Sequence, residues 1–392
     1  MTALLVLGSG ATAQDSTMPE HDYRVVGYYA AWTVYRDFSV ADIPADQLTH
    51  INYAFANISA NGEIALGDPW ADVQMPDEND TTEAELQGNF RQLLLLKLQY
   101  PHLKTLISVG GWSWSARFSD VALTPEKRER FARSAVAFIT TYGFDGVDLD
   151  WEYPTGGGDP GNATRPEDPE NFILLLEEIR SQLDAQSAID NRPYLLTIAN
   201  GAGRSTYQPL DWQRIHPLLD WINVMTYDMA GPWSSVTGFN APLYDSQERP
   251  PEGTSTDTAM MDYVALGIPP EKLIVGVPFY GRGWANVADV NNGLHQPYEG
   301  LAPGTREAGS YDYADLAANH VTPETRFWNE TAQVPWLYNP DTGIMITYDD
   351  PESLAAKASY VREHGLGGIM IWELSTDDGS LLSSIDTTLS AE

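Results

Sequence analysis

The chain has 392 residues, 43% hydrophobic and 20% charged, which is enough for a large buried core and for a single α/β barrel. Its formal net charge of −33 excludes nucleic acid and anionic membranes as partners, because their phosphates would be repelled. With no cysteine, disulfides and zinc–thiolate sites are excluded as well.

The N-terminal stretch "MTALLVLGSGATAQ" carries a short apolar run and Ala11-Thr12-Ala13 before Gln14. It reads as a signal-peptide remnant over residues 1–13 that lacks its basic start, and it predicts a secreted, extracellular protein. No later stretch is apolar for long enough to cross a bilayer. From there, near-continuous apolar runs alternate with helix-period segments. The predicted strands are 24–30, 48–58, 103–111, 144–152, 194–200, 219–227, 273–281 and 366–374. Helical patterns fall at 82–99, 124–143, 168–185 and 350–365; Thr124, Pro125 and Gly143 mark the second, and Asp350 or Ser353 caps the last.

Eight strands alternating with helices predict a TIM barrel over 22–388. The rhythm breaks once, between strands seven and eight. Residues 284–346, rich in Tyr, Trp and turn residues, are expected to form an α+β insertion on the C-terminal rim.

Strand four reads "FDGVDLDWEY". Alternate residues of a strand share a face, so Asp148, Asp150 and Glu152 face one side and Val147, Leu149 and Trp151 the other. Three acids on one face repel one another and are costly to bury, so each raises its neighbour's proton affinity. Glu152, at the mouth end, has the place of a general acid held protonated near neutral pH. No second cluster of acids completes a hard-cation site, so no metal is expected.

Barrel enzymes build their sites at strand C-termini. These ends supply Tyr28, Tyr29 and Trp32, Phe55, Trp112 and Trp114, Met225, Tyr227 and Asp228, Arg282 and Trp284, and Trp372 with Glu373. A cleft floored by acids and walled by the chain's abundant aromatics, 12 Trp and 20 Tyr, suits a neutral sugar polymer.

Three patterns are set aside. Gly156, Gly158 and Gly161 spell G-x-G-x-x-G, but Pro160 interrupts the run and no helix opens there. The acidic run 77–85 lacks the glycine of a calcium loop. Asn57, Asn79, Asn162 and Asn329 begin N-x-[ST] sequons.

"FDGVDLDWEYP" resembles the D-x-x-D-x-D-x-E signature of family 18 glycoside hydrolases, the chitinases. "SVGGW", "MTYD", "GVPFYGRGW" and "GGIMIWELSTD" resemble the family's other strands in order, from about residue 24 to 385. "WEYPTGGGDPGNATRPEDPENF" is similar to the bacterial subgroup with a rim insertion. The resemblance implies a substrate-assisted, retaining chitinase without cofactor, acting on chitin and chitooligosaccharides and expected to be a monomer. It makes Glu152 the acid, Asp150 the group that orients the acetamido substituent, and Asp148 the holder of the proton that Asp150 releases. It gives Tyr227 a hydrogen bond to the acetamido carbonyl and Met225, Asp228 and Arg282 a place in the central subsites. Trp372 would floor the sugar under attack, with Tyr29 and Phe55 closing the pocket base. Trp32, Trp112, Trp233 and Trp284 would be cleft platforms.

Two rivals share the barrel. An endo-β-N-acetylglucosaminidase acting on glycoproteins has less use for a Trp-lined cleft, and a silent lectin should lack the acid that Glu152 supplies. The large negative charge carries a prediction of its own, because salt screens self-repulsion. Activity and folding should tolerate molar sodium chloride, and a melting temperature that falls steadily with salt would contradict this.

Overall fold

The computed structural model describes residues 22–76, 86–246 and 254–391. The signal-like segment 1–13, the acidic run 77–85 and the Asn79 sequon lie outside the described residues. Eight parallel strands form the barrel: β1 (Arg24–Ala30), β2 (His50–Ile58), β3 (Lys104–Gly110), β4 (Gly146–Asp150), β5 (Leu195–Gly201), β6 (Trp221–Met225), β7 (Leu273–Pro278) and β8 (Gly368–Trp372). Each pairs with the next, and β8 pairs back onto β1, with Gly27 opposite Ile371, so the sheet has no open edge.

The strands sort their side chains by parity. Val25, Tyr29, Val147, Leu149, Ile198, Val275 and Ile371 point outward into the main core beneath the helices. Val26, Tyr28, Leu106, Trp221, Ile274 and Met370 fill the barrel interior. Full burial on both faces explains the near-continuous apolar runs.

The helices start and stop where local chemistry favours it. Thr124 caps Pro125–Tyr142 by accepting the Lys127 N–H at 3.4 Å, and Gly143 ends it in the left-handed region at φ 77°. Asp350 accepts the N–H groups of Glu352 and Ser353 at the start of Pro351–Glu363, while Ser353 Oγ takes the Asp350 N–H. A capping box of this kind contributes about 0.5–2 kcal/mol. The helix expected over 82–99 runs Gly88–Gln99, and the one expected over 168–185 extends to Asp190.

The main difference from the sequence reading lies at strand seven. The run 273–281 is two strands, not one. The chain leaves the barrel at Phe279, whose N–H donates to Trp372 O and whose carbonyl accepts from Thr376 Oγ1. Residues Tyr280–Trp284 then pair antiparallel with Ser310–Asp312 and with Ile344–Thr347. They belong to a five-stranded antiparallel sheet completed by Val334–Asn339 and Arg326–Asn329, with the helix Tyr313–Asn319 beside it. Arg282 therefore reaches the barrel mouth from this second sheet.

Candidate active site

β4 carries the acids as its alternation requires: Val147, Leu149 and Trp151 lie in the outer core, with Trp151 stacked on Phe118 at 5.3 Å. Asp148, Asp150 and Glu152 are all buried. Their surroundings differ, and the differences assign their protons.

Asp148 is ringed by four donors. Tyr28 OH and Ser108 Oγ donate to Oδ2 at 2.7 and 2.8 Å; Thr197 Oγ1 and Asn223 Nδ2 donate to Oδ1 at 2.5 and 3.3 Å. Burial raises its pKa, and the four donors pull it back toward the charged form. Asp150 has a buried Oδ1 with no partner among the described residues. Burial, then the charges of Glu152 and Asp148, push its pKa well up. Asp150 is thus the member most strongly driven to hold a proton, and Asp148 the best able to stay charged.

Glu152 sits beyond the strand end. Burial, reinforced by the charge of Asp228, raises its pKa to about 7, against a hydrogen bond with the Tyr153 side chain that lowers it. The carboxyl is then about half protonated at neutral pH, where an ordinary exposed glutamate is almost fully charged.

Aromatic rings form the floor. Trp372 lies 5.4 Å from Tyr28, 5.6 Å from Phe55 in a stacked pair at 24°, and 6.3 Å from Trp32. Tyr227 and Met225 are half-buried beside them at the end of β6. Burial, followed by the neighbouring Tyr280, keeps the Tyr227 hydroxyl protonated, so it remains a donor.

Asp228 forms the opposite wall. It adopts a left-handed backbone at φ 56°, held by Asn240 Oδ1, which accepts its N–H at 2.9 Å. Its Oδ1 accepts from Tyr280 OH at 2.8 Å and from Arg282 Nε and Nη2 at 2.9 and 2.7 Å. The Arg282 guanidinium lies over the rings of Tyr280 and Trp233, at 4.8 and 5.5 Å. Trp233 and Trp112 are 61% and 49% exposed, so both offer open faces.

Two residues are not where the sequence reading puts them. Tyr29 points outward: it is fully buried among Tyr53 and Phe38, with its hydroxyl near Asn89 Oδ1 at 3.4 Å. Tyr28 is the inward tyrosine, because adjacent strand residues face opposite sides. Trp284 is no platform. It has no exposed surface and packs with Ala230, Phe239, Trp336 and Met345 in the core of the second sheet. Trp284→Ala is accordingly expected to lower stability by about 3–5 kcal/mol while leaving oligosaccharide affinity unchanged. Denaturant unfolding and binding titration of one preparation check both.

Sequence reasoning missed several contributors. Ser108, Thr197 and Asn223 are polar residues inside largely apolar strands, a signal that could have marked them as inward-facing and paired. Tyr280, Asn240 and Ser115 act across distances in the chain that no local pattern encodes, whereas Tyr153 acts on its immediate neighbour Glu152.

The comparisons with known proteins agree with this geometry. The family model described as "Glycosyl hydrolases family 18" matches residues 24–377. Chitinase A1 of Niallia circulans is 46% identical over 92% of this chain, and the chain spans 58% of that relative's length. Chitinase 1 of Aphanocladium album is 36% identical, covering 92% of this chain and 83% of its own. The solved structure of chitinase ChiA74 from Bacillus thuringiensis superposes with a TM-score of 0.90 at 42% identity, over 94% of this chain and 70% of that one. With a barrel closed by eight strands and the acid series D-x-x-D-x-D-x-E on the fourth, the chain belongs to the family 18 glycosyl hydrolases.

Proposed function

We propose that the protein is a chitinase that hydrolyses β-1,4 bonds between N-acetylglucosamine units of chitin and chitooligosaccharides, with retention and without a cofactor. The observation that carries this reading is a glutamic acid with pKa raised to about 7, in one acid series with an aspartic acid whose buried Oδ1 has no partner among the described residues. Glu152 protonates the leaving oxygen. Asp150 turns to the acetamido N–H and passes its proton to Asp148, where the Tyr28, Ser108 and Thr197 hydroxyls can rotate from donor to acceptor. Tyr227 donates to the acetamido carbonyl. Trp372 lies under the sugar, with Phe55 and Trp32 beside it; Asp228, Arg282 and Met225 line the neighbouring positions, and Trp112 and Trp233 carry the chain outward. Family 18 enzymes are among the exceptions to the two-carboxylate rule, and here the substrate's own amide replaces the second carboxylate. An insoluble polymer cannot reach a cytoplasmic enzyme, which supports secretion, and the reading takes the protein as a monomer. Release of soluble chitooligosaccharides from colloidal chitin tests the reading. Failure to cut either chitin or a defined chitohexaose would end it.

The pH dependence has a definite sign. Glu152 has to enter the reaction protonated, so kcat/KM should fall on the alkaline side with a midpoint near the raised value of about 7. The same shift affects stability: the fold favours the neutral carboxyl, a contribution present below the ordinary glutamate range and lost as pH rises through about 7. A rate profile flat from pH 5 to about 9 would contradict the assignment.

A further inference from the structure

β4 ends at Asp150, whose ladder partner is Gly110. Glu152 therefore lies past the sheet, and its backbone N–H and C=O have no strand to pair with. Buried backbone groups need partners, and an unpaired one is costly. Both partners here are side chains. Ser115 Oγ accepts the Glu152 N–H at 2.9 Å, and Asn162 Nδ2 donates to the Glu152 carbonyl at 3.0 Å. The amide that begins the Asn162 sequon is thus already engaged inside the protein.

Each of the two is anchored in turn. The Ser115 hydroxyl is within donating distance of Gly111 O at 2.8 Å and Asp150 O at 3.0 Å. The Asn162 N–H donates to Asp159 O at 2.9 Å, and the next N–H, of Ala163, reaches Ala116 O at 3.3 Å. Arg165 bonds Ser119 Oγ and pairs with Asp120 at 2.6 Å, so the loop after β4 is tied to the segment that carries Ser115. Gly158 lies flat against the same carbonyl: a Cβ there would stand 1.9 Å from Glu152 O. Close approach, not backbone freedom, demands glycine at this point.

We propose that Asn162, acting with Ser115, is a positioning residue for proton donation: the two side chains replace the missing strand ladder and fix the Glu152 carboxyl at the height of the glycosidic oxygen. The proposal rests on Glu152 being the general acid. Both side chains bond the backbone of Glu152, so their loss should act on the steps in which Glu152 gives or takes a proton. Misplacement by about 1 Å can cost on the order of 10²-fold in rate.

The test compares two substrates on one preparation. A chitooligosaccharide expels a sugar alkoxide that needs protonation, whereas the 2,4-dinitrophenyl glycoside of chitobiose expels a phenolate that does not. Asn162→Ala should lower kcat on the oligosaccharide by about tenfold or more with KM unchanged, and should change kcat/KM of the aryl glycoside, which ends at phenolate departure, by less than about threefold. Ser115→Ala should show the same split. The ratio of the two rates is independent of the folded fraction, so partial misfolding does not mask the result. Equal losses on both substrates, or a raised KM with kcat intact, would overturn the proposal. Glu152→Gln is run beside them. If it shows the split and Asn162→Ala does not, the positioning role fails alone; if Glu152→Gln shows no split, the general-acid reading fails and takes the proposal with it.

Discussion

Glu152→Gln is expected to remove chitin hydrolysis while leaving oligosaccharide binding nearly intact. Loss of a general acid typically costs about 10²–10⁴ in rate, or about 3–5 kcal/mol of transition-state stabilisation. The substitution is close to silent for the fold. At neutral pH the site already holds the carboxyl neutral about half the time, because burial and the charge of Asp228 raise its pKa to about 7. An amide of the same shape keeps that neutrality and loses only the transferable proton. It also removes one of the charges that push the Asp150 pKa up. Trp372, Tyr227 and Asp228, which hold the sugar in the proposed reading, do not change. Turnover and binding measured on one sample separate the two effects. Turnover within a few-fold of the parent would remove Glu152 from the role.

Much of this site is legible in the sequence because its signals are local. Three acids at alternate positions in an apolar strand announce a functional face, and the outward set of Val147, Leu149 and Trp151 confirms the parity. The Tyr28–Tyr29 pair shows where local information runs out. Both are large and aromatic, both flanks are apolar on either parity, and both ends of the alternation are buried. Only closure of the barrel, which sets β1 against β2 and β8, decides that Tyr28 meets Asp148. Trp284 fails for a related reason: a tryptophan at a strand end looks the same whether its face is solvent or the core of a second sheet. The clamps on Glu152 come from Ser115 and Asn162, 37 and 10 residues away in the chain. No periodicity relates them to the acid they hold. The split of strand seven at Phe279 also depends on distant partners, since Trp372 O and Thr376 Oγ1 take its backbone groups.

The acetamido group of the substrate is expected to be a reactant and not merely a recognition handle. The wall facing Glu152 offers Asp228, but that carboxylate is committed: its Oδ1 accepts three hydrogen bonds, two of them from Arg282. It is poorly suited to attack an anomeric carbon. Asp150 is the opposite case, a buried acid whose Oδ1 has no partner among the described residues. An amide N–H would satisfy it, and Asp148 with its four surrounding side chains can take up the proton displaced. Tyr227, kept protonated by burial, can donate to the amide carbonyl from the other side. An amide gripped at both ends aims its oxygen at the neighbouring anomeric carbon. Attack then becomes intramolecular, where effective molarities reach about 10⁵ M or more. The oxygen forms a bond to that carbon as the glycosidic bond breaks, Glu152 gives its proton to the departing oxygen, and water later opens the oxazolinium ring with net retention, returning a proton to the Glu152 carboxylate. Cellulose and fully deacetylated chitosan should resist cleavage even where they bind. Partly deacetylated chitosan should be cut only where the sugar that becomes the new reducing end is acetylated, because that sugar's amide attacks its own anomeric carbon. Mass spectrometry of the new ends and proton NMR of the fresh anomer check both features. Glucosamine at the new reducing ends, or α product at early times, would exclude the mechanism.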